Sequence, residues 1–138
     1  MEPRNIKFSK LSKLIPKQCV SGDTIYKYTF LFSLCIISKE WPLEATGGNG
    51  RKIQLTFESF TLEYHSRCVY DYVEVSFGTF KEKYCGPNSS GFYYNGSGDN
   101  IGTSLPGPFI SVGKTMKVRF RSDGSVTRTG FKADWNEV

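Results

Sequence analysis

The sequence predicts an all-β chain folded as an antiparallel two-sheet sandwich. Three observations lead there. Phe, Tyr and Trp make up 15% of 138 residues and 14 glycines accompany them, the composition of short strands joined by tight turns. Several segments after residue 50 alternate apolar and polar side chains with a period of two, which buries one face of each. No stretch of comparable length keeps an apolar stripe at helical spacing.

The elements follow in chain order. Residues 1–38 form a basic leader that passes into Tyr28-Thr-Phe-Leu-Phe-Ser-Leu-Cys-Ile-Ile-Ser38. That apolar run is far shorter than the roughly 20 residues needed to cross a bilayer. It has the length of a signal-peptide core, and equally that of one buried strand. Gly47-Gly-Asn-Gly50 is a turn. Ile53, Leu55 and Phe57 then alternate with Lys52, Gln54 and Thr56; Phe60 and Leu62 continue after a shift of phase, which places a bulge or a kink near Glu58 and Ser59. Tyr70 to Val75 reads as a strand that stops at Phe77-Gly78. The Gly-, Ser- and Asn-rich stretch from Pro87 to Ser104 reads as a surface loop. It carries two N-x-S/T triplets, at Asn88 and Asn95, as acceptors for glycosylation. Met116, Val118 and Phe120 alternate with Lys117 and Arg119, and Phe131, Ala133 and Trp135 with Lys132 and Asp134.

The totals exclude several classes of function. A chain that is 38% hydrophobic can bury a core, so disorder is excluded as a description of the whole. The net charge of +5 is concentrated in the leader, with six basic residues against two acidic ones, while the rest carries 12 against 11. A nucleic-acid reader spreads Lys and Arg over its folded face instead. Cys19, Cys35, Cys68 and Cys85 show no C-x-x-C spacing, and the single histidine, His65, completes no metal site of the His-rich kind. Four widely spaced cysteines in a β-rich chain read as disulfides, which belong to an oxidising compartment. His65 has no second histidine and no G-x-S-x-G elbow to work with, so hydrolysis is excluded too.

A hard-cation site is better supplied. Calcium takes several oxygen ligands, carboxylates among them, and irregular loops deliver these well. Glu63 ends one strand, Asp71 begins the next, and Asp123 leaves a third in Arg121-Ser-Asp-Gly-Ser-Val-Thr127. Three such acids can converge on one rim of a sandwich, or each can be an ordinary loop acid; spacing alone does not choose.

At this point the sequence resembles the CUB domain family. The matching stretches are Lys52-Ile-Gln-Leu-Thr-Phe-Glu-Ser-Phe-Thr-Leu-Glu63, Cys68-Val-Tyr-Asp-Tyr-Val-Glu-Val75 and Lys83-Tyr-Cys-Gly86, then Leu105-Pro-Gly-Pro-Phe-Ile110, Met116-Lys-Val-Arg-Phe-Arg-Ser-Asp123 and Thr129-Gly-Phe-Lys-Ala-Asp-Trp135. They lie in the family's order and place the domain at residues 39–138. The resemblance implies a jelly-roll-like β-sandwich and a Cys68–Cys85 disulfide. In calcium-binding members the positions of Glu63, Asp71 and Asp123 hold the ion with backbone carbonyls just after the last Asp, here Ser125 and Val126. Glu63 and Asp123 then clamp a Lys of a partner protein, with Tyr64 framing the site and Tyr70 either framing it or belonging to the core. The chain departs from the family in two places. Lys39-Glu-Trp41 stands where C-x-W is usual, so Cys19–Cys35 is a candidate bridge that the resemblance does not itself imply, and residues 87–104 read as an insertion.

The expectation is therefore a secreted, extracellular, calcium-dependent protein-interaction module without catalysis of its own, of the kind found in larger mosaic proteins such as metalloproteases. The alternative is a calcium-independent, spermadhesin-like domain that binds carbohydrate or sulfated glycans through Lys114, Lys117, Arg119, Arg121 and Lys132.

Overall fold

The structure, a computed structural model, describes residues 4–7, 18–21, 24–27, 37–123 and 130–138. Its strands are β1 (Arg4–Lys7), β2 (Gln18–Ser21), β3 (Thr24–Lys27), β4 (Ile37–Glu44), β5 (Ile53–Thr61), β6 (Tyr72–Phe77), β7 (Phe80–Cys85), β8 (Tyr93–Asn95), β9 (Asn100–Gly102), β10 (Phe109–Ile110), β11 (Thr115–Ser122) and β12 (Gly130–Glu137). One sheet runs β1-β12-β5-β10 and the other β4-β11-β6-β7-β8-β9, with β2 and β3 forming a separate hairpin. All their pairings are antiparallel. Among the described residues there is no helix.

Period-two alternation produces the core as expected. In β11 Met116, Val118 and Phe120 point inward and Lys117, Arg119 and Arg121 outward. In β12 Phe131, Ala133 and Trp135 point inward. The phase shift in β5 is a bulge: Lys132 faces Ser59 but Ala133 faces Phe57, so Glu58 is the extra residue. This rotation lets both Phe57 and Phe60 reach the core, where Phe131 packs at ring-centroid distances of 5.9 Å from Phe57, 5.6 Å from Phe120 and 6.0 Å from Trp41. Each such aromatic pair adds about 0.5–1.5 kcal/mol beyond area burial.

The structure corrects one element. The Pro87–Ser104 stretch is not merely a surface loop, because β8 and β9 extend the larger sheet beyond β7. Tyr93 anchors this hairpin: its ring lies 6.0 Å from that of Phe60 and its hydroxyl donates to the Phe60 carbonyl at 3.2 Å. In this way backbone pairing and one partly buried tyrosine outweigh a turn-like composition. Arg4–Lys7, inside the basic leader, pair with β12. The Cys19–Cys35 pairing lies outside the described residues.

Candidate metal centre

The three acids sit where three strands end on one rim. Glu63 follows β5, Asp71 precedes β6 and Asp123 follows β11. Strands β6 and β11 are antiparallel neighbours with Arg121 opposite Tyr72, so the exit of one lies beside the entrance of the other. The Asp123 amide consequently donates to Asp71 Oδ1 at 3.0 Å. The connection from Glu63 to Asp71 is pinned at Cys68, whose disulfide to Cys85 ties it to β7 with Cα atoms 5.4 Å apart. Cys68 adopts φ +52°, alone among the described non-glycine residues in the left-handed region. Such a conformation costs roughly 1–2 kcal/mol and persists only where the surroundings hold it.

One carboxylate oxygen from each of Glu63, Asp71 and Asp123 lies within 4.8 Å of the others. Oxygens bound to a single calcium ion at about 2.3–2.6 Å can be no farther apart than about 5 Å, so the three fit one ion. The donor set is also the right chemistry, being hard, anionic oxygen throughout. Asp71 is buried, and burial is the main cause that pushes its carboxyl up to about 6. The Asp123 amide opposes that shift and the Asp123 charge adds to it. A cation at this point would relieve both the burial of charge and the crowding of like charges. Ser125 and Val126 lie outside the described residues.

The aromatic residues named with the site are on the surface. Tyr64 and Tyr70 are 38% and 43% exposed, and they flank the pinned connection. Tyr64 leans on Tyr94 at 5.1 Å, and Tyr70 meets His65 edge-on at 4.8 Å. Tyr94 belongs to the β8–β9 hairpin, so the 87–104 stretch reaches the rim; the Tyr93-Tyr94 pair inside a polar stretch is the sequence signal for this. His65 serves its own loop, with Nδ1 accepting the Arg67 amide at 3.0 Å. Asn88 and Asn95 lie after β7 and at the end of β8. Each closes a local turn through its side-chain oxygen, Asn88 with the Ser90 amide and Asn95 with the Ser97 amide.

Comparison with known proteins identifies the family and the fold. A family model described as the CUB domain matches residues 38–135. Human Tolloid-like protein 1 is 36% identical over 93 residues, which is 67% of this chain and 8% of that protein. The extracellular region of zebrafish Gpr126/Adgrg6 superposes with a TM-score of 0.55 at 32% identity, covering 73% of this chain and 11% of that one. The CUB1-EGF-CUB2 portion of human MASP-1/3 gives 0.56 at 28% identity, covering 73% and 35%. No helix among the described residues is long and apolar enough to cross a membrane.

Proposed function

The chain belongs to the CUB domain family, a family of non-catalytic protein-interaction modules of extracellular proteins, and we propose that it acts through calcium-dependent capture of a lysine on a secreted or cell-surface partner. The observation that carries the proposal is the convergence of Glu63, Asp71 and Asp123 to within 4.8 Å from three separate strand ends. Calcium, when bound, neutralises these acids and cross-links the three ends. Asp71, buried and held by the Asp123 amide, would be the inner ligand. Ser125 and Val126 carbonyls would complete the shell.

Glu63 and Asp123 are only half-buried. Each carboxylate has two oxygens, so one can serve the ion while the other accepts a charge-assisted hydrogen bond from an ammonium group. Tyr70 supplies an exposed ring beside the acids for the methylene stem of that lysine. One such clamp is weak, and repeated copies in a larger protein would raise the avidity. The chain spans 8% of Tolloid-like protein 1, so the partner-level activity of any longer protein is part of this proposal. The same extracellular setting would make Asn88 and Asn95 acceptors for N-linked glycans, and residues 39–138 the domain proper.

The test is capture of a lysine-bearing peptide by the immobilised chain. Capture in calcium that EGTA removes, that acetylation of the lysine abolishes and that Glu63→Gln weakens supports the proposal. Capture indifferent to both calcium and acetylation would contradict it.

A further inference from the structure

Exposed apolar side chains are divided between the two rims of the sandwich. Among the described residues Ile110, Val112 and Val138 lie toward the rim away from the acids. There Ile110 pairs with Gln54 and Val138 with Lys52 at the start of β5, and Val112 abuts Gly78 after β6. Tyr64, Val69, Tyr70 and Phe92 lie toward the rim of the three acids. The first three belong to the connection between Glu63 and Asp71. Phe92 precedes β8, and its carbonyl lies 3.2 Å from where a Cβ on Gly86 would stand. The Gly86 carbonyl in turn accepts the amide of Leu62, the residue before Glu63, at 2.8 Å.

Two rings here make one surface, and both are fixed from below. Tyr64 directly follows Glu63, and its ring lies 5.1 Å from that of Tyr94 with the planes tilted by 55°. Tyr94 stands opposite Cys85 in the β7–β8 pairing and packs against Cys68, Tyr72 and Cys85. The Cys68–Cys85 disulfide also holds the connection that carries Tyr64. Phe92 is tied to Asn88, its amide donating to Asn88 Oδ1 at 3.0 Å and its carbonyl accepting the Asn88 amide at 2.9 Å. Tyr64 and Phe92 nevertheless remain 38% and 37% exposed. Rings held in place before a ligand arrives lose little freedom on binding, so their contact area counts toward affinity.

Building on the lysine capture proposed above, we infer that the Tyr64–Tyr94 pair, with Phe92 beside it, makes the site selective for lysines accompanied by an apolar or aromatic side chain two residues away in an extended segment of the partner protein. The occupant follows from continuity. The rings begin at the residue after Glu63, so what the partner presents beside its lysine comes over them. Side chains two residues apart in an extended segment share a face and stand about 6–7 Å from each other. Tyrosine rings gain from covering apolar area and from meeting other rings edge-on or offset. An ammonium clamped at a solvated surface contributes little alone, whereas an aromatic contact next to it is the usual anchor of a protein interface. The acids thus decide that a lysine is taken, and the rings decide which one.

The test is titration of the full chain, in calcium, with two fluorescent peptides that share one central lysine. One carries phenylalanine two residues before and two residues after the lysine; the other carries serine at both places. The parent should bind the phenylalanine peptide on the order of tenfold more tightly. EGTA, or acetylation of the lysine, should release both. Tyr64→Ser should bring the ratio of the two affinities close to one, and so should Tyr94→Ser. Tyr94 supports a buried cluster but Tyr64 lies on the surface, so the first variant suffices if the second fails to fold. Val112→Ser, an exposed apolar change at the far rim, should leave the ratio unchanged. Equal affinities for the two peptides, both lost in EGTA, would overturn the inference and leave lysine capture standing. Binding of neither peptide would overturn both. A phenylalanine preference that survives Tyr64→Ser or lysine acetylation would place its origin elsewhere on the chain and overturn the inference. So would tighter binding of the parent to phosphatidylcholine vesicles than to the phenylalanine peptide, which would give the rings to a membrane surface.

Discussion

The two rims of the sandwich treat their acids in opposite ways. At one rim Glu137, 4% exposed, accepts the Thr46 amide at 2.6 Å, the Thr46 hydroxyl at 3.1 Å and the Gly47 amide at 3.0 Å. The chain's own donors surround that carboxylate, and it closes the turn after β4. At the other rim Glu63, Asp71 and Asp123 face one another, and the amide of Asp123 is donated to Asp71. A buried carboxylate supplied with donors is a structural part, because its charge is already compensated. Acids that crowd one another raise the free energy of the empty site and lower it when a cation arrives. Under the proposed function, this difference separates the acid that holds the fold from the acids that would hold a cation.

The comparison can be broken most forcefully at the disulfide. Cys68→Ser/Cys85→Ser should cost about 3 kcal/mol, as expected for a 17-residue separation, and should also weaken calcium binding by releasing the Glu63–Asp71 connection. Chemical denaturation with and without calcium measures both effects. Glu137→Ala comes next. It leaves the Thr46 and Gly47 donors without their acceptor and should lose about 2 kcal/mol, equally in calcium and in EGTA. A loss that calcium restored would erase the distinction between the rims.

Smaller still is the effect of Asp71→Asn. Removing a buried charge should leave the calcium-free domain as stable as the parent or up to about 1 kcal/mol more so, while the calcium increment disappears. The pH dependence has the same origin. Asp71 has a carboxyl raised from 3.8 to about 6 by burial, so between those values the folded chain binds more protons than the unfolded one. Stability without calcium should therefore fall as pH rises from about 4 to about 6. The calcium increment should grow across the same window, because the proton competes with the ion. Thermal unfolding from pH 4 to pH 8, with calcium and with EGTA, resolves the two slopes.

Much of this could be read from the residues alone. Strands β5, β11 and β12 announce themselves by alternation, and the phase shift at Glu58-Ser59 is the bulge observed in β5. What escaped was set by pairing rather than by pattern. β8 and β9 are three residues each within a Gly- and Asn-rich stretch, and they exist because β7 offers an edge and Tyr93 a partly buried anchor. Two-residue β10 has no period to detect. The metal candidates were visible as acids at strand ends, but their convergence depends on β6 and β11 being neighbours, which local sequence does not encode. Glu137 carries a signal of its own in the sequence. It continues the inward parity of Phe131, Ala133 and Trp135, and an acid at an inward position has to find donors.

Calcium held at the acid rim is checked by thermal unfolding of the chain in calcium and in EGTA beside a Glu63→Ala/Asp123→Ala variant. Calcium at a hundredfold excess over its dissociation constant should stabilise the parent by about 2.7 kcal/mol and the variant not at all. A parent that unfolds at the same temperature in both solutions, or a variant that calcium stabilises as much as the parent, would contradict it.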